Sequence, residues 1–399
     1  MADPRVTRRR LLAGSAAVAG AAGIAATAWG VDRYVHGDHD RDPAAATEPF
    51  HGRHQAGVAT VPQSHAAFVA LDLKPGAGRA DSVGLLKIWT GDAARLTRGA
   101  PALADTEPEL AARPARLTVT VGFGPRLFTA AGMEAARPAW LEPLPHFAID
   151  RLDPAWCGGD LLLQIGADEA TTVAHAVRSL CRSVTSLVSV RWVQRGFRNA
   201  PAGQRMRNLM GQIDGTANIA PDTPDFDRLV WDDGGHRAWL AGGTSLVPRR
   251  IAMNLDTWDE LDPEGRELTV GRRIATGAPL TGLRESDDPD FAAVDRHGIP
   301  VIPPSSHIAR AHHTRDAERF LRRGYNYDDA PTPATTSNSG LLFAAYQRDI
   351  TTQFLPVQQR LADFDALNVW TTPIGSAVFA LPPGVPGPDG YLGQTLFDS

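Results

Sequence analysis

Residues Ser64–Lys74 read S-H-A-A-F-V-A-L-D-L-K, an apolar run of strand length. Leu85, Leu86, Trp89 and Leu96 then recur at helical intervals, so Asp81–Arg98 is expected as an amphipathic helix. Arg116–Phe123 alternates in the manner of a strand, and Asp160–Gly166 is a short apolar run. The pattern next predicts a helix from about Glu169 to Val184, capped by Asp168. A strand follows over Leu187–Phe197, with Val188, Val190, Trp192 and Gln194 alternating. The order β-α-β-β-α-β is the split unit of a ferredoxin-like half.

The second half repeats this arrangement more loosely. Thr244–Leu255 reads as a strand leading to a short acidic helix around Thr257–Asp262, and Ser339–Arg348 is a strongly apolar strand. Ile350–Phe364 has helical spacing despite Pro356, which either kinks the helix or marks a later start. Trp370–Leu381 closes the fold as a strand with Gly375-Ser376-Ala377 near its middle. The expected fold class is therefore α+β. Two ferredoxin-like halves, 50–215 and 216–399, would pack their antiparallel sheets face to face as a dimeric α+β barrel, with a junction near residues 200–220 where ligand sites favour forming.

With 43% hydrophobic and 21% charged residues over 399 positions, the composition is that of a globular protein. A formal net charge of −5 gives no electrostatic reason to expect nucleic acid. Two cysteines, Cys157 and Cys181, exclude a disulfide scaffold and a four-cysteine metal cage; they either pair in an exported protein or stay as buried thiols. The amino terminus carries Thr7-Arg8-Arg9-Arg10-Leu11-Leu12 before an Ala/Gly-rich run to Trp29, with small residues at Ala26-Thr27-Ala28. Residues 1–29 thus read as an export signal of the twin-arginine (Tat) type. The product would be periplasmic or extracellular, with no membrane span in the mature protein. Residues 30–49 read as linker, in which His36, His39, Asp38 and Asp40 offer at most a weak metal site.

Candidate chemistry starts at Asn208–Asn218, N-L-M-G-Q-I-D-G-T-A-N. Gly211 and Gly215 bracket Asp214 in a turn that lets the backbone lie close to a flat ligand, and Leu209, Met210 and Ile213 suggest partial burial of the carboxylate. Downstream, Pro303-Pro304-Ser305-Ser306-His307 presents an imidazole, a common ligand of iron or zinc; His312 and His313 compete for that role. In Arg319–Tyr327 a buried arginine beside an apolar strand could stabilise developing negative charge. On these residues alone a cofactor-free binding protein with a purely structural Asp214 turn stands beside the catalytic reading.

Taken in order, Gly52-Arg53-His54-Gln55-Ala56-Gly57, the GxxDG of Gly211–Gly215 with Thr216-Ala217-Asn218, Arg250-Ile251-Ala252-Met253 and Gly277-Ala278-Pro279-Leu280 form one pattern. Ser306-His307-Ile308, Leu321-Arg322-Arg323-Gly324-Tyr325 and Gly340-Leu341-Leu342-Phe343 continue it to Tyr346-Gln347-Arg348-Asp349. The chain resembles the dye-decolourising (DyP-type) haem peroxidases over nearly the whole mature region, in the Tat-exported class that includes the deferrochelatase/peroxidase group.

The resemblance implies one haem b per chain between the two halves, with His307 as the axial iron ligand. It makes Asp214 the distal acid–base group and Arg322 the distal arginine, with Arg323 as the fallback. Leu341 and Phe343 would face the distal pocket. Gly215, Thr216, Ala217 and His312 would touch the porphyrin or its propionates, although His313 departs from the family's usual residue. Asp365 would hydrogen-bond the proximal histidine, with Asp363 as its near competitor. The implied function is reduction of hydrogen peroxide through a ferryl intermediate, with oxidation of dyes, phenolics or other one-electron donors. Trp370, Tyr325, Tyr327 and Tyr346 are candidate radical carriers. The alternative is a deferrochelatase or haem-handling protein that releases iron. Natural donor and oligomeric state are left open.

Overall fold

The computed structural model describes residues 42–200, 205–331, 333 and 335–398. The expected export signal and the His36/His39 segment lie outside them. The first half runs β1 (His65–Leu73), α1 (Arg79–Leu96), β2 (Thr118–Phe123), β3 (Leu161–Ala167), α2 (Ala170–Arg182) and β4 (Val188–Phe197). Its strands lie in the order β4-β1-β3-β2, all antiparallel. After a short helix α3 (Pro224–Val230), the second half runs β5 (Thr244–Met253), α4 (Pro263–Val270), α5 (His307–Ala311), β6 (Leu321–Asp329) and β7 (Asn338–Gln347). Helix α6 (Leu355–Phe364), β8 (Thr371–Ser376) and β9 (Phe379–Leu381) complete it. Here the order is β6-β7-β5, with β8 and β9 side by side along the far edge of β5. Counted within its own half, each sheet has the same strand order, so the ferredoxin-like arrangement occurs twice.

The two sheets meet at both edges through single residue pairs, Phe197 with Asn326 and Phe123 with Ala380, which makes one closed barrel. Such thin seams need help. Gln55 supplies it at the second one: its Nε2 donates to Val121 O and Pro382 O, and its Oε1 accepts from Val121 N. Strand alternation then divides the core. Ala67, Val69 and Leu71 of β1 face outward onto Leu85, Leu86 and Trp89 of α1 and Val173 and Leu180 of α2. Ala66, Phe68 and Ala70 face inward with Leu162 of the neighbouring β3, against Leu342, Ala344, Tyr346 and Phe379 of the second half. A side chain such as Phe68, fully buried there, contributes on the order of 2–3 kcal/mol.

Several expectations need correction. Asp168 does not cap α2; its carboxylate accepts from Ser64 N and pairs with Arg116, and the helix begins two residues later. Val190 does not share a buried face with Trp192, because the β1–β4 register shifts beside it and leaves it half exposed. Thr257–Asp262 is not a helix; a single turn, Leu255–Trp258, ends there, and α4 starts at Pro263 with Asp262 as its cap. Pro356 marks a later start: a π-turn over Ile350–Phe354 precedes α6, and the proline sits in the first turn, where a missing N–H costs nothing. The last strand breaks in two after Ser376. Hydrophobic alternation does not predict strand β6, because its arginines mask the pattern. The linker also ends early, since the carbonyls of Ala44 and Ala46 accept from Ala115 and Arg116 of the folded body.

Candidate functional site

Arg207 and Ile213 form an isolated antiparallel bridge that folds the Asp214 stretch into a tight hairpin. Gly211 turns it at φ 84°, a left-handed conformation that most residues resist. Arg207 clamps it, donating to the carbonyls of Gly211, Ile274 and Ala275. Asp214 leaves the hairpin with its own N–H held by Met206 O at 2.9 Å and its side chain one-fifth exposed.

Strand β6 brings the arginine. Arg322 pairs in register with Ala345 of β7, Gly324 with Phe343 and Asn326 with Leu341, so these residues share the sheet face that looks away from the barrel interior. Arg322 Nη1 approaches Asp214 Oδ1 at 3.8 Å. Arg323 alternates to the opposite face; it is buried and donates to Val58 O and Thr60 O inside the barrel. Asn218 brackets the Arg322 peptide: Arg322 N donates to Asn218 Oδ1 at 2.9 Å, and Asn218 Nδ2 donates to Arg322 O at 2.7 Å. These two bonds tie the Asp214 turn to the strand that bears the arginine. Gly324 leaves room for the carboxylate, since a Cβ there would stand 3.2 Å from Asp214 Oδ2 and 3.3 Å from Leu341 Cδ1. Neither Asn218 nor Gly324 stands out in the sequence as a functional residue. The only signal for them is their place within the two motifs.

His307 opens α5 with Ser306 ahead of it. His307 Nδ1 meets Asp365 Oδ2 at 2.7 Å, while Asp365 Oδ1 accepts from Leu367 N at 2.9 Å. Asp365 is therefore held at both oxygens where α6 ends, and Nε2 of the imidazole is the nitrogen left for a ligand bond. Burial alone pulls the His307 pKa down; the charge and hydrogen bond of Asp365 outweigh it and hold it above the ordinary imidazole value. The charges of Arg322 and Asp214 are lesser influences on it, one lowering and one raising. Asp363 instead accepts from Gln359 at the surface.

The remaining candidates spread around this centre. Thr216 Oγ1 donates to Glu285, which also binds Arg205. Gly215 adopts φ 95°, and Ala217 is exposed. His312 is exposed, stacks on His313 with ring centroids 4.5 Å apart and meets Phe291 edge-on. Tyr325, Tyr327 and Tyr346 are buried, and Tyr346 donates to Gln164 inside the barrel; Trp370 is partly exposed. Cys157 and Cys181 are unpaired, and burial pushes the Cys181 thiol up to about 11.

Comparison with known proteins gives this geometry its family. Residues 55–198 match the N-terminal family model of Dyp-type peroxidases, and residues 205–386 match the C-terminal one. A dye-decolorizing peroxidase of Thermobifida fusca (strain YX) is 40% identical, with 98% of this chain and 97% of that protein aligned. A deferrochelatase of Yersinia pestis bv. Antiqua (strain Nepal516) is 36% identical, covering 98% of this chain and 95% of its own. The crystal structure of a DyP-type peroxidase from Cellulomonas bogoriensis superposes with a TM-score of 0.87 at 57% identity, over 90% of this chain and 100% of that one. The chain belongs to the Dyp-type peroxidase family; it is a peroxidase, and haem is its cofactor.

The residues present fit that group. His307 offers one ring nitrogen with the other engaged, and a carboxylate and a guanidinium stand 3.8 Å apart on the hairpin and β6. The buried Ser306 Oγ and Gln212 Nε2, beside the two motifs, carry no hydrogen bond among the described residues. No helix among those residues is long and apolar enough to cross a membrane.

Proposed function

We propose that the chain reduces hydrogen peroxide and oxidises dyes, phenolics or other one-electron donors, with His307 as the residue that would hold the iron and Asp214 and Arg322 as the reactive pair. Haem, when bound, supplies the electrons that reduce peroxide and recovers them one at a time from the donor. Asp214 accepts a proton from one peroxide oxygen and returns it to the other, which departs as water. Arg322 stabilises the negative charge that develops as the O–O bond opens. Asp365 fixes the His307 ring and raises the basicity of its free nitrogen. Asn218 and Gly324 position the pair, one by holding the arginine's peptide, the other by leaving space for the carboxylate. The observation that carries this reading is that Asp214 and Arg322, from separate elements, lie 3.8 Å apart, while His307 has one ring nitrogen engaged by Asp365 and the other left for a ligand.

A cavity of about 460 Å³ lies beside Asn218, lined also by Thr223, Asp225 and Arg319. Gly215, Thr216, Ala217 and His312 remain the proposed porphyrin or propionate contacts, with Leu341 and Phe343 lining the Asp214 side. The Arg8-Arg9 motif supports export by the twin-arginine route.

The deferrochelatase among the relatives keeps a second reading in view, release of iron from intact porphyrin. That activity needs His307 but not the Asp214–Arg322 pair. Haem-loaded protein should turn over a dye with peroxide and release no iron from intact porphyrin; iron-free porphyrin accumulating without dye turnover would favour the second reading. Gly324→Ala refines the test. Its Cβ displaces the Asp214 carboxylate, so peroxide turnover should fall roughly ten- to a hundredfold while haem uptake stays normal. An unchanged rate in stopped flow would show that the carboxylate position does not matter.

A further inference from the structure

Three of the chain's five methionines, Met206, Met210 and Met253, are gathered in one cluster with Trp258, Val270 and Leu341. Their exposures are 1%, 3% and 7%, so bulk solvent does not reach them. The cluster is continuous with the site. Met206 O accepts the N–H of Asp214, and Met210 O accepts the indole N–H of Trp258 at 3.1 Å, so the two residues sit in the hairpin that presents the carboxylate. Leu341 belongs to the cluster and also borders Asp214 above Gly324. Trp258 meets the partly exposed Trp370 edge-on at 5.3 Å, and Leu367, which packs on the same cluster, donates to Asp365 behind His307.

Thioethers and indoles are the readily oxidised side chains of an apolar core, and leucine would fill the same volume without that property. A peroxidase holds a strong oxidant in its pocket whenever peroxide arrives before a donor. We propose that Met206, Met210 and Met253 are the site of oxidative self-modification, acting as sacrificial electron donors when no external donor is present. In net terms each thioether, oxidised by way of the haem pocket, consumes one hydrogen peroxide and gives a sulfoxide and one water. Sulfur loses two electrons and gains an S–O bond. The O–O bond breaks, and its other oxygen takes both electrons and leaves with the two peroxide protons as water. Since the three sulfurs are closed to bulk peroxide, the reaction depends on the haem pocket beside them. The sulfoxides, being polar, then loosen the packing around Leu341.

This inference rests on haem lying beside Asp214 and His307. Its test compares wild-type protein loaded with haem and with redox-inert zinc protoporphyrin, both treated with a few equivalents of hydrogen peroxide and no donor. Peptide mass spectrometry then locates the added oxygen. In the haem-loaded protein Met206, Met210 and Met253 should be oxidised ahead of Met133, which is only partly buried in the other core. In the zinc form the order should reverse, and a phenolic donor should protect the cluster in the haem form. Met133 leading in both forms would overturn the proposal. The Soret band of the starting sample reports separately on the haem site, so its absence would count against that reading instead. The volume-conserving triple variant M206L/M210L/M253L should bleach its Soret band roughly twofold or more faster per peroxide added without donor. Equal bleaching would overturn the sacrificial role.

Discussion

His307→Ala should abolish the Soret absorption of haem-supplemented protein while leaving its circular dichroism close to that of the wild type. The expected effect is large because the ligand nitrogen is delivered by a fixed arrangement. Asp365 is held by Leu367 on one oxygen and holds His307 Nδ1 with the other. Among the described residues the nearest candidates in sequence are not placed to take over: His312 and His313 stack on each other at the far end of α5, and His312 is exposed. Haem bound at a thousandfold excess over its dissociation constant would stabilise the folded state by about 4 kcal/mol. The wild type should therefore gain thermal stability on haem addition and the variant should not. A normal Soret band in His307→Ala, lost instead in His312→Ala, would reassign the ligand.

Asp214→Ala should keep the Soret band and slow the reaction with peroxide by roughly a hundredfold to ten-thousandfold, the range of a positioned acid–base group. Arg322→Ala should cost roughly a hundred- to a thousandfold through lost charge stabilisation. The alanine variant at Asp214 also frees the space above Gly324, so the loss cannot be ascribed to crowding. Stopped-flow mixing with peroxide checks both. An undiminished rate in Asp214→Ala would leave Arg322 as the main contributor. Arg323→Ala is a useful contrast, because Arg323 holds carbonyls of Val58 and Thr60 within the barrel, so its removal should lower stability rather than the peroxide rate of folded protein.

Much of the architecture is legible in the chain. Period-two and helical spacing locate β1, α1, β2, β3, α2, β4, β5 and β7 within a few residues, and the βαββαβ order implies the half-barrel. The misses share a physical cause. Strand β6 presents Arg322, Arg323 and Asn326 on a buried or half-buried sheet, where the usual rule that charge means solvent fails. Asp168 looks like a cap because of where it stands, yet a tertiary partner, Arg116, claims it. Val190 follows the alternation until the bulge beside it turns it outward.

For the site, the sequence by itself determined the cast: one carboxylate between two glycines, a histidine after a Pro-Pro turn, an arginine pair, and aspartates before the last strand. It also identified the family, through motifs kept in order. Choices between near neighbours needed the tertiary structure. Alternation along β6 puts Arg322 toward Asp214 and Arg323 into the barrel, a distinction that adjacent identical residues cannot carry. The end of α6 turns Asp365 toward His307 and leaves Asp363 at the surface. Packing also sets the Met206–Met210–Met253 cluster against the Asp214 hairpin, although Met253 is far from the other two in the chain. Local spacing sets which face a side chain takes; only long-range closure of the barrel decides which residues share that face.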